Sequence, residues 1–269
     1  MRKVTYTIAI LATLMLAACD EDEPVLTPAP AEPKLDYYVE SFEVDGLGFE
    51  PVMRVDYSYD LSGHLTRYTV SSYHPESDSM EELRYFDFSY LNDNVDSIKG
   101  YLPDTETPYV EYSYQYLPNN KVSTINEYNH GAGVNSGATF SYDNDNNSVK
   151  VSYVFSNGGS FEYEFSFAGD NISNDRTTRG SQLCSEGEYT YDQRINPFSR
   201  LGYVDYVLNN LSTNNKLTEE VSYKACAFPT LVPQSYTYEY NEQGYPVLVT
   251  TNYITGSTLK KAQKEIFYK

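Results

Sequence analysis

Short segments in which aromatic and polar residues alternate recur along most of the chain. Within each segment the aromatic residues would share one face of an extended strand, and the polar residues would share the other. Residues 160–167 show this best, with aromatic residues at every second position and Ser or Glu between them. The aromatic-x-aromatic centres are Tyr57-Ser58-Tyr59, Phe88-Ser89-Tyr90, Tyr112-Ser113-Tyr114, Phe140-Ser141-Tyr142, Phe165-Ser166-Phe167, Tyr189-Thr190-Tyr191 and Tyr238-Glu239-Tyr240.

The spacing of these centres predicts a repeated β-hairpin. The first six begin about 26 residues apart, which is the length of two strands and two turns. Stretches rich in Gly, Asn and Asp follow most centres, as at 60–63 and 241–244, and supply the backbone conformations that tight turns need. We therefore expect residues 37–269 to form a single all-β domain. Its antiparallel meander of about 14 to 16 strands would be rolled into an open or closed barrel-like sheet.

One segment has a helical pattern instead. Asn196 can cap a helix and Pro197 suits its first position. From Leu201 onward, apolar residues recur at intervals of three or four, which places them on one face of a helix. We predict a helix near 197–211 that is inserted into the meander and closes one side or one end of the sheet.

The N-terminus has the layout of an export signal. Arg2 and Lys3 precede an apolar stretch at 4–15 that is too short to span a membrane. The following residues 16–19, Leu-Ala-Ala-Cys, resemble the bacterial lipobox. This resemblance implies a signal peptide at 1–18, cleaved by signal peptidase II, and acylation of Cys19. Two or more acyl chains suffice for stable anchoring in a membrane. An ordinary secretory signal with a chance cysteine is the alternative.

Residues 19–36 have the composition of a linker. An acidic run, Asp20, Glu21, Asp22 and Glu23, follows Cys19 directly. It resembles the export signal of Bacteroidetes lipoproteins that are sent to the outer face of the outer membrane. Four prolines between residues 24 and 33 favour an extended spacer. We expect a lipid-anchored protein of the outer membrane, exposed at the cell surface, although the acidic run could also be plain solvated linker.

Charge and composition exclude two classes of protein. The net charge is −19, and it would become −21 after cleavage because residues 1–18 contain two basic and no acidic residues. A chain this acidic should be repelled by nucleic acid. The 29 tyrosines and 12 phenylalanines exclude wholesale disorder. Tyrosine in place of Leu and Val along the strands also argues against a membrane-spanning barrel, so we expect the domain without lipid to be water-soluble.

Two cysteines and two serines are candidates for covalent modification. Cys184 and Cys226 flank the predicted helix. Outside the inner membrane they could form a disulfide, and two independent buried thiols remain the alternative. Ser79 and Ser97 lie in Asp-Ser-Met and Asp-Ser-Ile, which resemble the acceptor for O-glycosylation in Bacteroides.

The sequence indicates no cofactor. Asp143, Asp145 and Asn147 have the spacing of the first ligands of a calcium loop. Ser148 stands where glycine is needed and Val154 where the bidentate glutamate belongs, so a plain hairpin turn is favoured. The three histidines at 64, 74 and 130 do not have the spacing of metal ligands.

Two segments resemble a known repeat. Residues 57–67 and 238–246 share the spacing from Tyr to Asp or Asn to Gly that is typical of YD (Rhs-type) repeats. Together with the lipobox, the acidic run and Asn196-Pro197-Phe198, they make the chain similar to a family of Bacteroidetes surface lipoproteins. That family is a domain of unknown function described as having a porin-like fold. The resemblance implies a rolled or closed meander and brings no known activity or site residues.

These observations favour a non-enzymatic surface lipoprotein. It would act as a binding or scaffolding module for an extracellular glycan or protein ligand. The 38 acidic residues offer many possible pairs of carboxylates, so the sequence does not identify a catalytic pair. A glycan-processing enzyme or accessory that uses two carboxylates therefore stays an alternative. A structural partner of an outer-membrane complex is a further alternative.

Overall fold

Sixteen antiparallel strands close into a barrel in the computed structural model of the protein. The structure describes residues 32–269 except 75, 146, 205–209, 225, 227–233 and 256–257. The strands are β1 (Leu35–Val44), β2 (Gly48–Tyr59), β3 (Leu65–His74), β4 (Ser79–Leu91), β5 (Asn94–Tyr101), β6 (Val110–Tyr116), β7 (Val122–Asn129), β8 (Val134–Asp143), β9 (Ser148–Val154), β10 (Ser160–Ala168), β11 (Asn171–Arg179), β12 (Gln182–Ile195), β13 (Asn214–Tyr223), β14 (Gln234–Tyr240), β15 (Pro246–Thr255) and β16 (Thr258–Tyr268).

The meander predicted from the aromatic repeats is confirmed, and the sheet is closed. Each strand pairs with its neighbours in sequence, and β1 pairs with β16 so that Tyr38 lies opposite Ile266. Beyond the last strand, the backbone groups of Lys34 and Lys269 exchange hydrogen bonds of 3.1 and 3.0 Å. A closed sheet leaves no strand edge exposed for pairing with another chain.

Both ends of the described chain lie at the same end of the barrel, which we call the terminal end. This end holds Lys34 and Lys269, the plug described below, and the hairpin turns that follow the even-numbered strands. The opposite end, which we call the distal end, holds the turns that follow the odd-numbered strands, such as 45–47.

The inner face of the barrel carries an apolar core, as the period-2 pattern predicts. Val55, Phe86, Ile98, Ile125 and Val151 all belong to one buried cluster and come from five different strands. Their neighbours along each strand point to the outer face.

The outer face is polar and carries charge pairs between neighbouring strands. These pairs are Arg67–Asp87 at 2.6 Å, Lys99–Glu111 at 3.4 Å and Lys150–Glu162 at 3.3 Å. A lipid-facing barrel wall is apolar instead, because charged side chains are costly there. The outer wall of this barrel therefore suits contact with water.

In several hairpins, the second strand has a tyrosine near the terminal end that bonds back to the first strand. Its hydroxyl donates a hydrogen bond to the backbone carbonyl of one of the first residues of the preceding strand. The bonds are Tyr90 to Leu65 (2.9 Å), Tyr116 to Val95 (2.8 Å), Tyr142 to Val122 (2.8 Å), Tyr238 to Lys216 (2.6 Å) and Tyr268 to Pro246 (2.7 Å). The tyrosine repeat thus has a structural role beyond filling the core.

A break in strand register accompanies most of the aromatic centres. The pairing with the next strand shifts at Ser58/Tyr59, Ser89/Tyr90, Gln115/Tyr116, Ser166/Phe167, Thr190/Tyr191 and Glu239/Tyr240. Such bulges increase the local twist and redirect side chains. In β6 the shift identifies Tyr114-Gln115-Tyr116 as the equivalent centre, two residues later than the sequence repeat suggested.

The predicted helix near 197–211 is wrong. Among the described residues of this segment, the structure has a single short 3₁₀ helix, Pro197–Arg200. Its start follows the prediction, since the Asn196 side chain accepts a hydrogen bond of 3.1 Å from the backbone of Phe198. Gly202 then adopts a φ of +77°, which ends the helical path. Residues 205–209 lie outside the described part of the chain. No described helix is long and apolar enough to cross a membrane.

The described residues of the segment 196–213, 196–204 and 210–213, are together called the plug, and several of them pack against the interior of the sheet. Leu201 is buried in the core cluster. The ring of Phe198 meets that of Tyr38 at 5.8 Å, and the ring of Tyr203 meets that of Phe88 at 5.3 Å. The described residues of the plug therefore contact the inner face of at least two strands, β1 and β4.

We expect Tyr116→Phe to lower the free energy of unfolding by about 1 kcal/mol, because the buried carbonyl of Val95 loses its hydrogen-bond partner. The same loss is expected for Tyr142→Phe at Val122. Urea denaturation followed by circular dichroism measures both changes. Tyr128→Phe, at an exposed position near the distal end, is the matched control and should leave stability unchanged. Equal midpoints for Tyr116→Phe and Tyr128→Phe would contradict the structural role of the hydroxyl.

Candidate functional site

The inner wall formed by β1 and β11–β16 carries ionisable side chains. Strand alternation turns Glu40, Asp175, Lys216, Glu219 and Lys264 inward, in phase with the neighbouring inward tyrosines. Most inward residues of the opposite wall are apolar. Because charged groups are costly to bury, this difference between the two walls identifies a candidate site.

A cavity of about 210 Å³ lies between this wall and the plug. Tyrosine rings form much of its lining, together with amide, hydroxyl and lysine side chains. The lining includes Tyr189, Tyr191, Tyr236, Tyr238, Ser212, Asn215, Lys216, Thr251 and Lys264. Ligand pockets for drug-sized molecules commonly measure about 300–1,000 Å³, so this cavity suits a smaller molecule.

Asp175 and Tyr189 form the first polar pair of the wall. The Tyr189 hydroxyl donates a hydrogen bond of 2.6 Å to Asp175. Gly187 lies opposite Asp175 on β12, and a β carbon at that position would overlap with Asp175 and lie 2.6 Å from the Tyr189 hydroxyl. Burial raises the pKa of Asp175, although the hydrogen bond from Tyr189 opposes the shift. Glycine at 187 thus provides the space in which the pair forms.

Glu219 is the centre of a second group. It accepts hydrogen bonds of 2.9 Å from Lys216 Nζ and 3.1 Å from the Tyr236 hydroxyl. Lys216 Nζ also lies 4.4 Å from the centre of the Tyr189 ring, which links the two groups. The side chains of Lys216 and Glu219 keep 32 % and 22 % of their surface exposed, so solvent reaches this part of the lumen.

Lys264 lies beside the cavity on β16. It is directly opposite Glu40 of β1 in the strand register. Its Nζ is 4.5 Å from the centre of the Tyr38 ring and 5.2 Å from that of Phe198 in the plug. Burial lowers the pKa of Lys264, and the charge of Glu40 opposes the shift. The lysine therefore stands in an aromatic setting inside the barrel.

The residues of the predicted anchor lie outside the described part of the chain. They are Cys19 and the acidic run Asp20, Glu21, Asp22 and Glu23. The signal peptide, the lipidation and the export signal therefore remain predictions.

Cys184 and Cys226 do not line the cavity and are joined in a disulfide. Their S–S distance is 1.93 Å and their Cα atoms are 4.7 Å apart. Cys184 is in β12 and Cys226 follows β13, so the bridge fastens the distal end of this strand pair. The sequence had left a bridge and two free thiols open.

The two serines in glycosylation-like motifs lie in different settings. Ser79 begins β4 at the distal end and is exposed, with its hydroxyl 2.8 Å from that of Ser77. Ser97 is half-buried on the outer face of β5 and shares a hydrogen bond of 2.8 Å with Ser89. Modification of either serine remains a prediction.

The calcium candidate residues form a hairpin turn at the terminal end. Asp143 accepts a hydrogen bond of 3.0 Å from the backbone of Asp145, and the Asn147 amide donates one of 2.9 Å to the Phe167 carbonyl. Lys121 Nζ lies 3.2 Å from Asn144 in the same turn and would disfavour a cation. Among the described residues, no group of three or more His, Cys, Asp and Glu side chains could hold a metal ion.

The ionisable lumen residues were not found from the sequence. Asp175, Lys216, Glu219 and Lys264 do not belong to any known sequence motif. Their strand phase is the signal that could have found them, because each occupies an inward position where the repeat elsewhere has an apolar or aromatic residue.

Comparison with solved structures shows the fold. A porin-like protein from Bacteroides uniformis superposes with a TM-score of 0.60 at 12 % sequence identity, over 87 % of this chain and 98 % of that one. A porin-like protein from Bacteroides vulgatus gives a TM-score of 0.46 at 10 % identity, over 88 % and 99 % of the two chains. The TcdB2-TccC3-Cdc42 structure gives 0.33 at 12 % identity, over 81 % of this chain and 13 % of that one. No family model and no curated protein matches the chain.

The protein therefore has the fold of the porin-like protein from Bacteroides uniformis, as the sequence resemblance implied. At this level of identity the likeness concerns the fold alone. The function must be argued from the residues of this chain.

We expect loss of the disulfide to lower stability by up to about 4 kcal/mol on the chain-entropy model, since it joins residues 42 positions apart. The double variant Cys184→Ser/Cys226→Ser should unfold at lower urea than the parent. Dithiothreitol should lower the midpoint of the parent and leave that of the variant unchanged. A parent midpoint that is insensitive to the reductant would contradict the bridge.

We expect Asp175→Asn to be at least as stable as the parent at pH 7. A raised pKa means that the folded state favours protonated Asp175. The contribution of Asp175 to the free energy of unfolding is therefore complete below about pH 4, and it is lost as pH rises through the folded-state pKa. Asparagine mimics the protonated form and can still accept from Tyr189. Glu188→Gln, on the exposed outer face of β12, is the control. Urea midpoints measured between pH 4 and pH 8 compare the stability of the variant with that of the parent. If Asp175→Asn is less stable than the parent at pH 7, this account is contradicted.

Proposed function

We propose that the protein is a surface-exposed lipoprotein of the outer membrane that binds a small ligand in its lumen and does not transform it. The observation that carries this proposal is the polar wall around a cavity that solvent reaches. The ligand would be an extracellular molecule, and a small glycan fits the tyrosine-rich lining best.

The cost of the polar wall supports a binding role. Replacing buried ionic groups by well-packed apolar ones is often neutral or stabilising, so they are weak evidence for a purely structural purpose. The opposite wall shows that this fold can fill its interior with residues such as Phe86 and Ile98. A barrel that served as a scaffold alone would gain from the same packing on both sides.

The state of the carboxylates supports binding without catalysis. Asp175 already accepts a hydrogen bond from Tyr189, and Glu219 accepts from both Tyr236 and Lys216. Burial raises the pKa of Tyr189 and Tyr236, so their hydroxyls stay protonated and keep donating. Both carboxylates thus already accept hydrogen bonds from other side chains of the protein, which suits a structural or binding role better than proton transfer to a substrate.

The outer wall supports a barrel that stands in water and needs a separate anchor. Its cross-strand charge pairs do not suit a lipid-facing surface. Acylated Cys19 would supply the membrane affinity. The linker joins the barrel next to Lys34, at the terminal end.

Two variants test the anchor and the export signal separately. Cys19→Ala should leave an unprocessed precursor without incorporated fatty acid. Replacing residues 20–23 by alanine should give a lipidated protein that faces the periplasm and resists protease added to intact cells. If the alanine variant is cleaved as readily as the parent, the acidic run is a linker and surface export must be explained otherwise.

A cavity-filling variant tests ligand binding. Ala262 is buried and lines the cavity, so Ala262→Phe should fill it. Ala132→Phe, in an exposed distal turn, is the matched control. Saturation-transfer NMR of the purified full-length protein in detergent, with a panel of neutral, anionic and cationic monosaccharides, is expected to show binding by the parent and the control. Absence of any binding, or equal binding by Ala262→Phe, would overturn the proposal.

A hydrolase is the second candidate, because the pairing of a protonated and an ionised acid is the arrangement used by glycosidases. The raised pKa of Asp175 suits a general acid, and Glu219, which accepts a hydrogen bond from Lys216, would be the second carboxylate. Turnover of aryl glycosides that is abolished by Asp175→Asn and by Glu219→Gln would favour this candidate over binding alone.

A further inference from the structure

We infer that Lys264 is the anion-binding residue of the lumen cavity, and that the ligand is a small hydroxylated carboxylate such as a sugar acid. The inference rests on the proposed binding function and specifies the chemical class of the ligand. The carboxylate would contact Lys264 Nζ, while the hydroxylated part would lie against the tyrosine and amide side chains of the cavity.

The two lysines of the wall differ in their partners. Lys216 is neutralised within the protein by Glu219 at 2.9 Å. Lys264 forms no ion pair with any described residue, and Glu40, which lies opposite in register and also lines the cavity, acts on it only through its charge. Its contacts are the rings of Tyr38 and Phe198. An amine inside a barrel without an ionic partner is costly, and a ligand anion would compensate for it.

The position of Lys264 makes its amine available to a ligand. Lys264 alternates with Ala262 and Ile266, which are both buried on the inner face, and all three residues line the cavity. The Phe198 ring belongs to the plug, so Lys264 lies where the cavity meets the plug. An anion in the cavity would gain a charge-assisted hydrogen bond, about twice as strong as a neutral one.

The remaining lining selects for a hydroxylated molecule of small size. Ser212, Asn215 and Thr251 add polar groups to the tyrosine rings. The hydrocarbon chain of a fatty acid would lie against this polar lining and displace water from it, which costs binding energy. The volume of about 210 Å³ excludes long chains and suits one sugar ring.

Glucuronate and glucose are the probes, because they differ by one carboxylate. Calorimetric titration of the full-length protein in detergent should show glucuronate binding at least tenfold more tightly than glucose. Lys264→Met keeps the length of the side chain and its packing on the two rings. This variant should lose that preference, whereas Lys264→Arg should retain it. Lys261→Met, on the outer face of the same strand, is the matched control and should behave as the parent.

Acetate distinguishes a sugar-acid site from a general anion site. It should bind at least tenfold more weakly than glucuronate, because it lacks the hydroxylated part. Thermal unfolding of each variant verifies that it is folded. Equal affinity for the two sugars, or an unchanged preference in Lys264→Met, would overturn the inference. The proposed binding in the lumen would still hold if Ala262→Phe abolishes the binding of both sugars. If Ala262→Phe binds every sugar as the parent does, the proposed function itself fails.

Discussion

The hydrogen bond from a tyrosine hydroxyl to the start of the preceding strand is the constraint on which the barrel depends. It lies outside the regular ladder, and it recurs at Tyr90, Tyr116, Tyr142, Tyr238 and Tyr268. A register slip of one residue would turn each of these tyrosines to the outer face and break the bond. The repeat therefore fixes which side chains face the lumen, strand by strand, from the terminal end.

This inward assignment could be predicted from the sequence, whereas the closure and the site could not. The aromatic alternation is local, so it yields the hairpins and an approximate strand count. Closure depends on pairing between Tyr38 and Ile266, which no local pattern encodes. The helical pattern after Asn196 failed at Gly202, where a positive φ and contacts with the barrel interior outweigh local propensity. Asp175, Glu219 and Lys264 come from separate strands, so only the three-dimensional fold brings them to one wall.

Side chains of the site also join two neighbouring strands of the barrel, β13 and β14. Between β13 and β14, the described register consists of Thr218 opposite Ser235 and Glu219 opposite position 234. Side chains of the site supplement this pairing, since Tyr236 donates to Glu219 and Tyr238 donates to the carbonyl of Lys216. The disulfide between Cys184 and Cys226 holds β13 to β12 on its other side. The polar wall thus contributes to holding the barrel closed at this point.

This double role explains how ionisable groups are tolerated in the lumen. The tyrosine hydroxyls and Lys216 satisfy the two carboxylates, so these acids add side-chain bonds between neighbouring strands, Asp175 with β12 and Glu219 with β14. Buried polar groups that are fully hydrogen-bonded can rigidify a structure, whereas an unsatisfied one is costly. Lys264, on β16 next to the closing strand β1, forms no ion pair with a described residue and has only the rings of Tyr38 and Phe198 and the charge of Glu40 beside it. The hydrogen-bonded acids therefore belong to the architecture, and the amine of Lys264 is the group of the wall that a ligand anion would pair with.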